Sequence, residues 1–138
     1  MNYLRAISTA VAVWIIGVHV FLVAIHLPIS DDPELQANLA LAIAFLPLAW
    51  FGAQYYYKTG SRTKGYQLAF IMALTAAVLD AIITVPLFFL PIGVTHSEFF
   101  GATGFWLLIL EYTGIVILYD LIRRRKVMKR ILDTTRHP

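Results

Sequence analysis

The sequence contains no cysteine, which removes disulfide frames, thiolate metal sites and cysteine nucleophiles, and leaves the redox compartment unread. Charge is scarce as well: 14% of residues are Asp, Glu, Lys or Arg, against roughly 25% in ordinary soluble domains. No phosphate-cradling glycine loop, Gly-x-Ser-x-Gly elbow or His-Glu-x-x-His helix is present. Of the four histidines only His19 sits centrally in an apolar run, whereas membrane haem wants axial ligands facing one another from different helices. A di-metal carboxylate site would need a Glu-x-x-His pairing, which is missing. No cofactor and no metal are therefore expected.

What is abundant is apolar surface. The 138 residues are 59% hydrophobic, and the mean hydropathy is +0.73. A helix needs roughly 20 predominantly apolar residues to cross a hydrocarbon core about 30 Å thick. Four stretches qualify, approximately 7–27, 35–57, 66–90 and 99–122, followed by a basic tail over 123–138. The first is too long for a signal core, and His26-Leu27-Pro28-Ile29 offers no small-residue cleavage site, so it reads as a retained helix. The expected fold class is all-α, a polytopic membrane protein built as a single four-transmembrane-helix bundle.

Lysine and arginine are missing from the first connector, Pro28–Glu34, and from the third, around Thr95–Glu98. All 11 lie at the other ends of the spans: Arg5, then Lys58, Arg62 and Lys64, then the run from Arg123 onward. Positive charge in short loops stays in the cytoplasm, which predicts an N-in/C-in protein of the cytoplasmic (inner) membrane. The basic pI of about 9.3 is then topology, with attraction of the tail to anionic lipids of the bilayer. Nucleic acid is not expected as a partner, since nothing resembles a groove reader.

Helix-start chemistry supports the same count. Asp32-Pro33-Glu34 reads as an N-cap, a proline at the first helical position and an acid in the first turn. Thr95-His96-Ser97-Glu98 has capping-box spacing. Pro47 and Pro86 fall inside the second and third spans, where each removes a backbone hydrogen bond and is expected to bend its helix. Leu27-Pro28-Ile29-Ser30 before Glu34 is echoed by Leu90-Pro91-Ile92-Gly93 before Glu98. Two repeated helical hairpins would produce that echo, and so would the common use of proline and acidic caps at outer helix ends. Tyr3, Trp50, Phe51, Tyr55, Tyr56, Tyr57, Tyr66 and Tyr119 gather toward the basic ends, as an interfacial aromatic belt does.

The informative anomaly is polar. A charged side chain at mid-membrane costs at least about 2.5–3.5 kcal/mol on insertion scales, so an intramembrane acid points to function. Asp80 and Glu111 lie at similar depth in the third and fourth spans, and His19 is central in the first. With Thr84 one turn from Asp80 and Thr113 beside Glu111, these five residues form the expected substrate- and proton-binding constellation. Such a site would exchange a proton for a cationic, hydrophobic small molecule. Alternatively the acids act as interhelical glue, bonded to His19, Thr84 or Trp106, at about 0.6 kcal/mol per bond. Ala73, Ala76, Ala77 and Ala81 make a small-residue stripe toward Asp80, and Gly101, Gly104 and Gly114 bracket Glu111. Ordinary close packing explains these too.

Leu79-Asp80, Phe88-Phe89, Phe99-Phe100-Gly101 and Trp106-Leu107-Leu108 resemble small bacterial four-helix membrane proteins that carry only an unknown-function label. The resemblance lies mainly in the last two spans and implies an inner-membrane four-helix protein with no stated activity. Small multidrug transporters are similar in size, but the acid of their first helix has His19 in its place here, so their function is not carried over. The expected function is a small membrane binding or transport protein with a proton-linked acidic site. Four helices enclose little space, which favours a homo-oligomer. Two other readings stay open: a non-catalytic membrane-complex subunit or lipid-binding scaffold, and a membrane enzyme acting on a lipid or isoprenoid.

Overall fold

The computed structural model describes residues 1–136, which are helical apart from short connectors and contain no strand. The helices are α1 (Tyr3–His26), α2 (Pro33–Tyr57), α3 (Gly65–Leu79), the short α4 (His96–Gly101) and α5 (Thr103–Arg136). α3 runs on as a π-helix over Asp80–Phe89 and a 3-10 turn over Leu90–Ile92. Four helices are long and apolar enough to cross a membrane: Tyr3–His26, Pro33–Tyr57, Gly65–Ile92 and Thr103–Arg136.

The starts are fixed locally. Asp32 Oδ1 accepts the Leu35 N–H at 3.0 Å ahead of α2. Thr95 and Glu98 form the reciprocal pair ahead of α4: the Glu98 N–H donates to Thr95 Oγ1 at 3.3 Å, and the Thr95 N–H donates to Glu98 Oε2 at 2.8 Å. That restart is brief, because Ala102 is extended (ψ 133°) and separates α4 from α5. Phe99–Gly101, expected as the beginning of the fourth span, thus belong to α4, and the basic run after Ile122 continues α5 without a break to Arg136. Residues 137–138 of the expected tail lie outside the described residues.

Pro86 changes the helix rather than simply bending it. Its ring crowds the carbonyl one turn back and it has no N–H to donate. The chain responds with ten residues of wider π spacing that begin at Asp80. In that spacing the carbonyl of Ala81 would take its hydrogen from residue 86, which is the proline. The side chain of His96 supplies it instead, with Nε2 2.8 Å from the Ala81 oxygen. A carbonyl only accepts, so His96 carries its hydrogen on Nε2. The proline therefore docks α4 onto α3. Pro47, by contrast, is accommodated within a continuous α2.

Around the bundle, α1 packs on α2 and α3, and α5 packs on the other flanks of α2 and α3. α2 and α3 stand on a diagonal, so the connector 58–64 crosses the basic end. Its crossing is tied down by Asp120, only 3% exposed, whose Oδ2 accepts the Gly65 N–H at 2.8 Å. Arg123 and Arg124 bond the same carboxylate at 2.7 and 2.8 Å. Gly65 is required there: a Cβ would stand 2.8 Å from Asp120 Cβ and 3.1 Å from the Ile117 backbone.

The core is lopsided. Ala6, Ala10, Val13, Ala49, Ala53, Tyr56, Leu68, Met72, Tyr112 and Val116 are buried together, from the basic end up to mid-bundle at Val13 and Tyr112. Tyr56 and Tyr57 point into that core and are held by Thr63, the first through its hydroxyl at 2.8 Å and the second through its carbonyl at 3.0 Å. The outer surface is the reverse of a soluble protein's, with Leu4, Ile43, Phe70, Ile82, Leu107 and Leu110 all exposed. An apolar exterior belongs against lipid tails.

Candidate functional site

In the half nearer the acidic connectors the helices part around a cavity of about 180 Å³. Its walls are aromatic: Trp14 and Phe21 from α1, Phe45 from α2, Phe89 from the π segment, Phe99 from α4, and Phe105 and Tyr112 from α5. Phe89, Phe99 and Phe105 pack on one another, with centroids 4.9 Å apart for the first pair and 5.5 Å for the second. Asp80 and Thr84 form the deep polar end, whereas Glu34, Asn38 and Glu98 stand nearer the acidic connectors. The lining contains three acids and no Lys, Arg or His.

Asp80 is positioned by two donors. Trp14 Nε1 gives its hydrogen to Asp80 Oδ1 at 2.9 Å, and Thr84 Oγ1 donates to the same oxygen at 2.7 Å. Oδ2 has no hydrogen-bond partner among the described residues. A helix interior carrying Pro86 needs a wide turn, and the wide turn begins at the acid. π segments inside helices are frequently found at functional sites. The carboxyl is thus fixed through one oxygen and leaves the other free beside an aromatic chamber.

The structure brings together two of the five residues expected here, Asp80 and Thr84. His19 is on the exposed face of α1, with Nδ1 2.6 Å from the Ile15 carbonyl of its own helix. Glu111 is half-buried on α5, outside the cavity lining, although its neighbour Tyr112 is within it. Thr113 donates back to the Ile109 carbonyl at 2.8 Å. Trp106, one suggested partner for the acids, donates to the Phe100 carbonyl at 2.7 Å instead. Depth along each span was readable, but rotation about the helix axis was not. A helix turns about 100° per residue, so equal depth does not imply a shared face.

Sequence reasoning missed Trp14, although it is a tryptophan far from the interfacial belt, which is a signal that its N–H has a partner inside. It also missed Asp120, an acid beside a basic run that proves to be the knot of the basic end. At the opposite end Glu98 is exposed. The Thr95 backbone N–H and hydroxyl hold its carboxyl below the usual carboxylate range. Among the glycines near Glu111, Gly104 is a contact point, where a Cβ would stand 2.8 Å from Asn38 Nδ2, whereas Gly101 and Gly114 face open space.

Fold and site together define an all-helical protein with four helices of membrane-crossing length around a half-bundle cavity that has an acid at its deep end. The model described as "Family of unknown function (DUF5367)" matches residues 29–125, more than half of the chain, and the protein belongs to that family. The match runs from the connector before α2 into the basic part of α5, well beyond the two spans that carried the resemblance in the sequence. No curated protein and no solved structure matches the chain.

Proposed function

We propose that this is a small integral protein of the cytoplasmic (inner) membrane that binds, and by extension carries, compact organic cations with an apolar body in exchange for a proton at Asp80. The observation that carries this reading is the cavity: aromatic walls, an acid with one unpaired oxygen at its deep end, and no basic residue in its lining. Aromatic faces attract cations within about 6 Å, most strongly when water is excluded. Glu34 and Glu98 near the acidic connectors add attraction along the way in. The volume is below the roughly 300 Å³ of a drug-sized pocket, which favours a single quaternary ammonium with a small aromatic substituent. Both termini lie in the cytoplasm in this reading, since all 11 Lys and Arg residues sit at one end of the spans.

Glu111 keeps a place as a second acid. It faces out of the bundle beside exposed Gly114 and between exposed Leu107 and Leu118, an address suited to a second copy of the chain in a homo-oligomer. The hairpins α1–α2 and α3–α5, each closed at the acidic end by a connector containing proline, support a repeated architecture.

The test is titration of purified protein in detergent with benzyltrimethylammonium in weakly buffered solution. The parent should release protons in step with cation uptake, and Asp80→Asn should release none and bind weakly. Equal binding and equal proton release by Asp80→Asn would end the proposal. A scaffold role is favoured by one observation, the Trp14–Asp80–Thr84 bonds, and it predicts no cation uptake by either protein.

A further inference from the structure

We propose that the cleft between α2 and α5 at the basic end is a binding site for the phosphate-bearing headgroup of an anionic phospholipid. The cleft, about 450 Å³, is separate from the aromatic cavity and shares no residue with it. Phe51, Gln54, Tyr55 and Tyr57 line it from α2 and Lys58 from the cap of that helix, with Phe51, Gln54, Tyr55 and Lys58 at the i, i+3, i+4, i+7 spacing that places side chains on one helix face. Tyr119 and Arg123, at i and i+4, line it from α5.

The chemistry is that of an anion receptor. No acid lines the cleft. The nearby carboxylate, Asp120, is already engaged by the Gly65 N–H, Arg123 and Arg124. Arg123 gives Asp120 only Nη2. Its guanidinium carbon lies 4.1 Å from the centroid of the Tyr57 ring, and its enclosed Nε has no hydrogen-bond partner among the described residues. Lys58 Nζ and the Tyr119 hydroxyl likewise have none among the described residues. Arg5 adds positive charge, with its guanidinium carbon 4.1 Å from the centroid of the Tyr55 ring. Lys58, Arg123 and the Tyr119 phenol therefore border a cleft lined by no acid, and a phosphodiester supplies acceptors for them.

Position selects a lipid over a free ion. Along α2 the lining runs from Lys58 at the helix end through Gln54 to Phe51, which is 63% exposed. Seven residues of helix rise span about 10 Å, more than the roughly 5–7 Å of headgroup region on each side of the hydrocarbon core, so the lining reaches from headgroup depth into the acyl chains. A phosphate at Lys58 thus leaves its chains against Phe51. Basic pockets between membrane helices are a recurrent form of headgroup site. The inference depends on the basic end alone and stands whether or not Asp80 binds cations.

Native mass spectrometry of the full chain in neutral detergent, with dioleoylphosphatidylglycerol or dioleoylphosphatidylcholine added, tests it. Phosphatidylglycerol should be retained in preference. Lys58→Gln and Tyr119→Phe remove no contact seen within the bundle apart from a phenol oxygen, and together they should weaken retention by about tenfold, as loss of charge-assisted hydrogen bonds does. The pair Lys129→Gln and Arg130→Gln, farther along α5, should leave retention unchanged. Equal retention of the two lipids, or an equal loss from the Lys129/Arg130 pair, would overturn the site in favour of diffuse attraction to the tail. Displacement of the lipid by inorganic phosphate would overturn the lipid assignment.

Discussion

Asp80 carries a different role from the one depth alone suggested. Two donors converge on Oδ1, so the carboxyl is aimed rather than merely buried. Removing the indole donor with Trp14→Phe keeps the ring in the cavity wall and frees the acid to swing. Benzyltrimethylammonium affinity, read by isothermal titration calorimetry, should fall by about threefold, the equivalent of one typical interhelical hydrogen bond. The same substitution should leave the helical circular dichroism of the protein unchanged. The acid's depth was legible from hydropathy, because a charge inside an apolar run stands out whatever surrounds it. Its partners were not, because a tryptophan 66 residues away is joined to it only by how α1 is rotated against α3.

Among the elements, α4 is the one that sequence shortened into its neighbour. Its capping pair was visible in Thr95 and Glu98, but nothing in the local pattern marks Ala102 as extended, since alanine is a strong helix former. α4 is held by Phe99, packed against Phe89 and Phe105, and by His96, bonded to the Ala81 carbonyl that Pro86 leaves without its backbone donor. His96→Ala should therefore speed amide hydrogen exchange throughout α4. In a Pro86→Ala background, where residue 86 regains its N–H, the same change should do much less. A second lever is acidity. The Glu98 carboxyl is held below its usual range by Thr95, so its capping contribution is fully present above the unfolded value of about 4.3 and is lost as pH falls through the lower folded value. Exchange in α4 should thus be flat from neutral pH down to about pH 5, after allowance for intrinsic rates, and should rise at more acid pH. Glu98→Gln, which keeps a capping oxygen but cannot titrate, should abolish that acid dependence, and Thr95→Val, which keeps the backbone N–H bond, should only reduce it.

For the molecule as a whole, the knot at Asp120 joins α3, α5 and the diagonal connector. Gly65→Val would push α3 away from α5, because the nearest atoms include backbone that cannot yield. It should destabilise the protein by about 1–3 kcal/mol, measurable as a lower midpoint of thermal unfolding in detergent. The count of spans was legible because the hydrocarbon thickness imposes a minimum length on any crossing helix. The lopsided core was not. It depends on which alanines and glycines meet across α1, α2 and α3, such as Gly52 against Val13, where a Cβ would stand 3.1 Å from Cγ2. No single-span pattern records such pairings.

The tight half and the hollow half give the bundle the form of a cup, packed toward the basic end and hollow toward the acidic connectors. In the proposed orientation a cation resting beside Asp80 has descended through roughly half of the membrane's electrical field, and the proton it displaces leaves by the same mouth. A unit charge falling through the whole field gains about 2.3 kcal/mol per 100 mV, and what the cation gains over its share of that path the departing proton gives back. Occupancy of the cup would then follow the pH at its mouth and not the voltage: at one outside pH an energised and a depolarised cell would fill it equally.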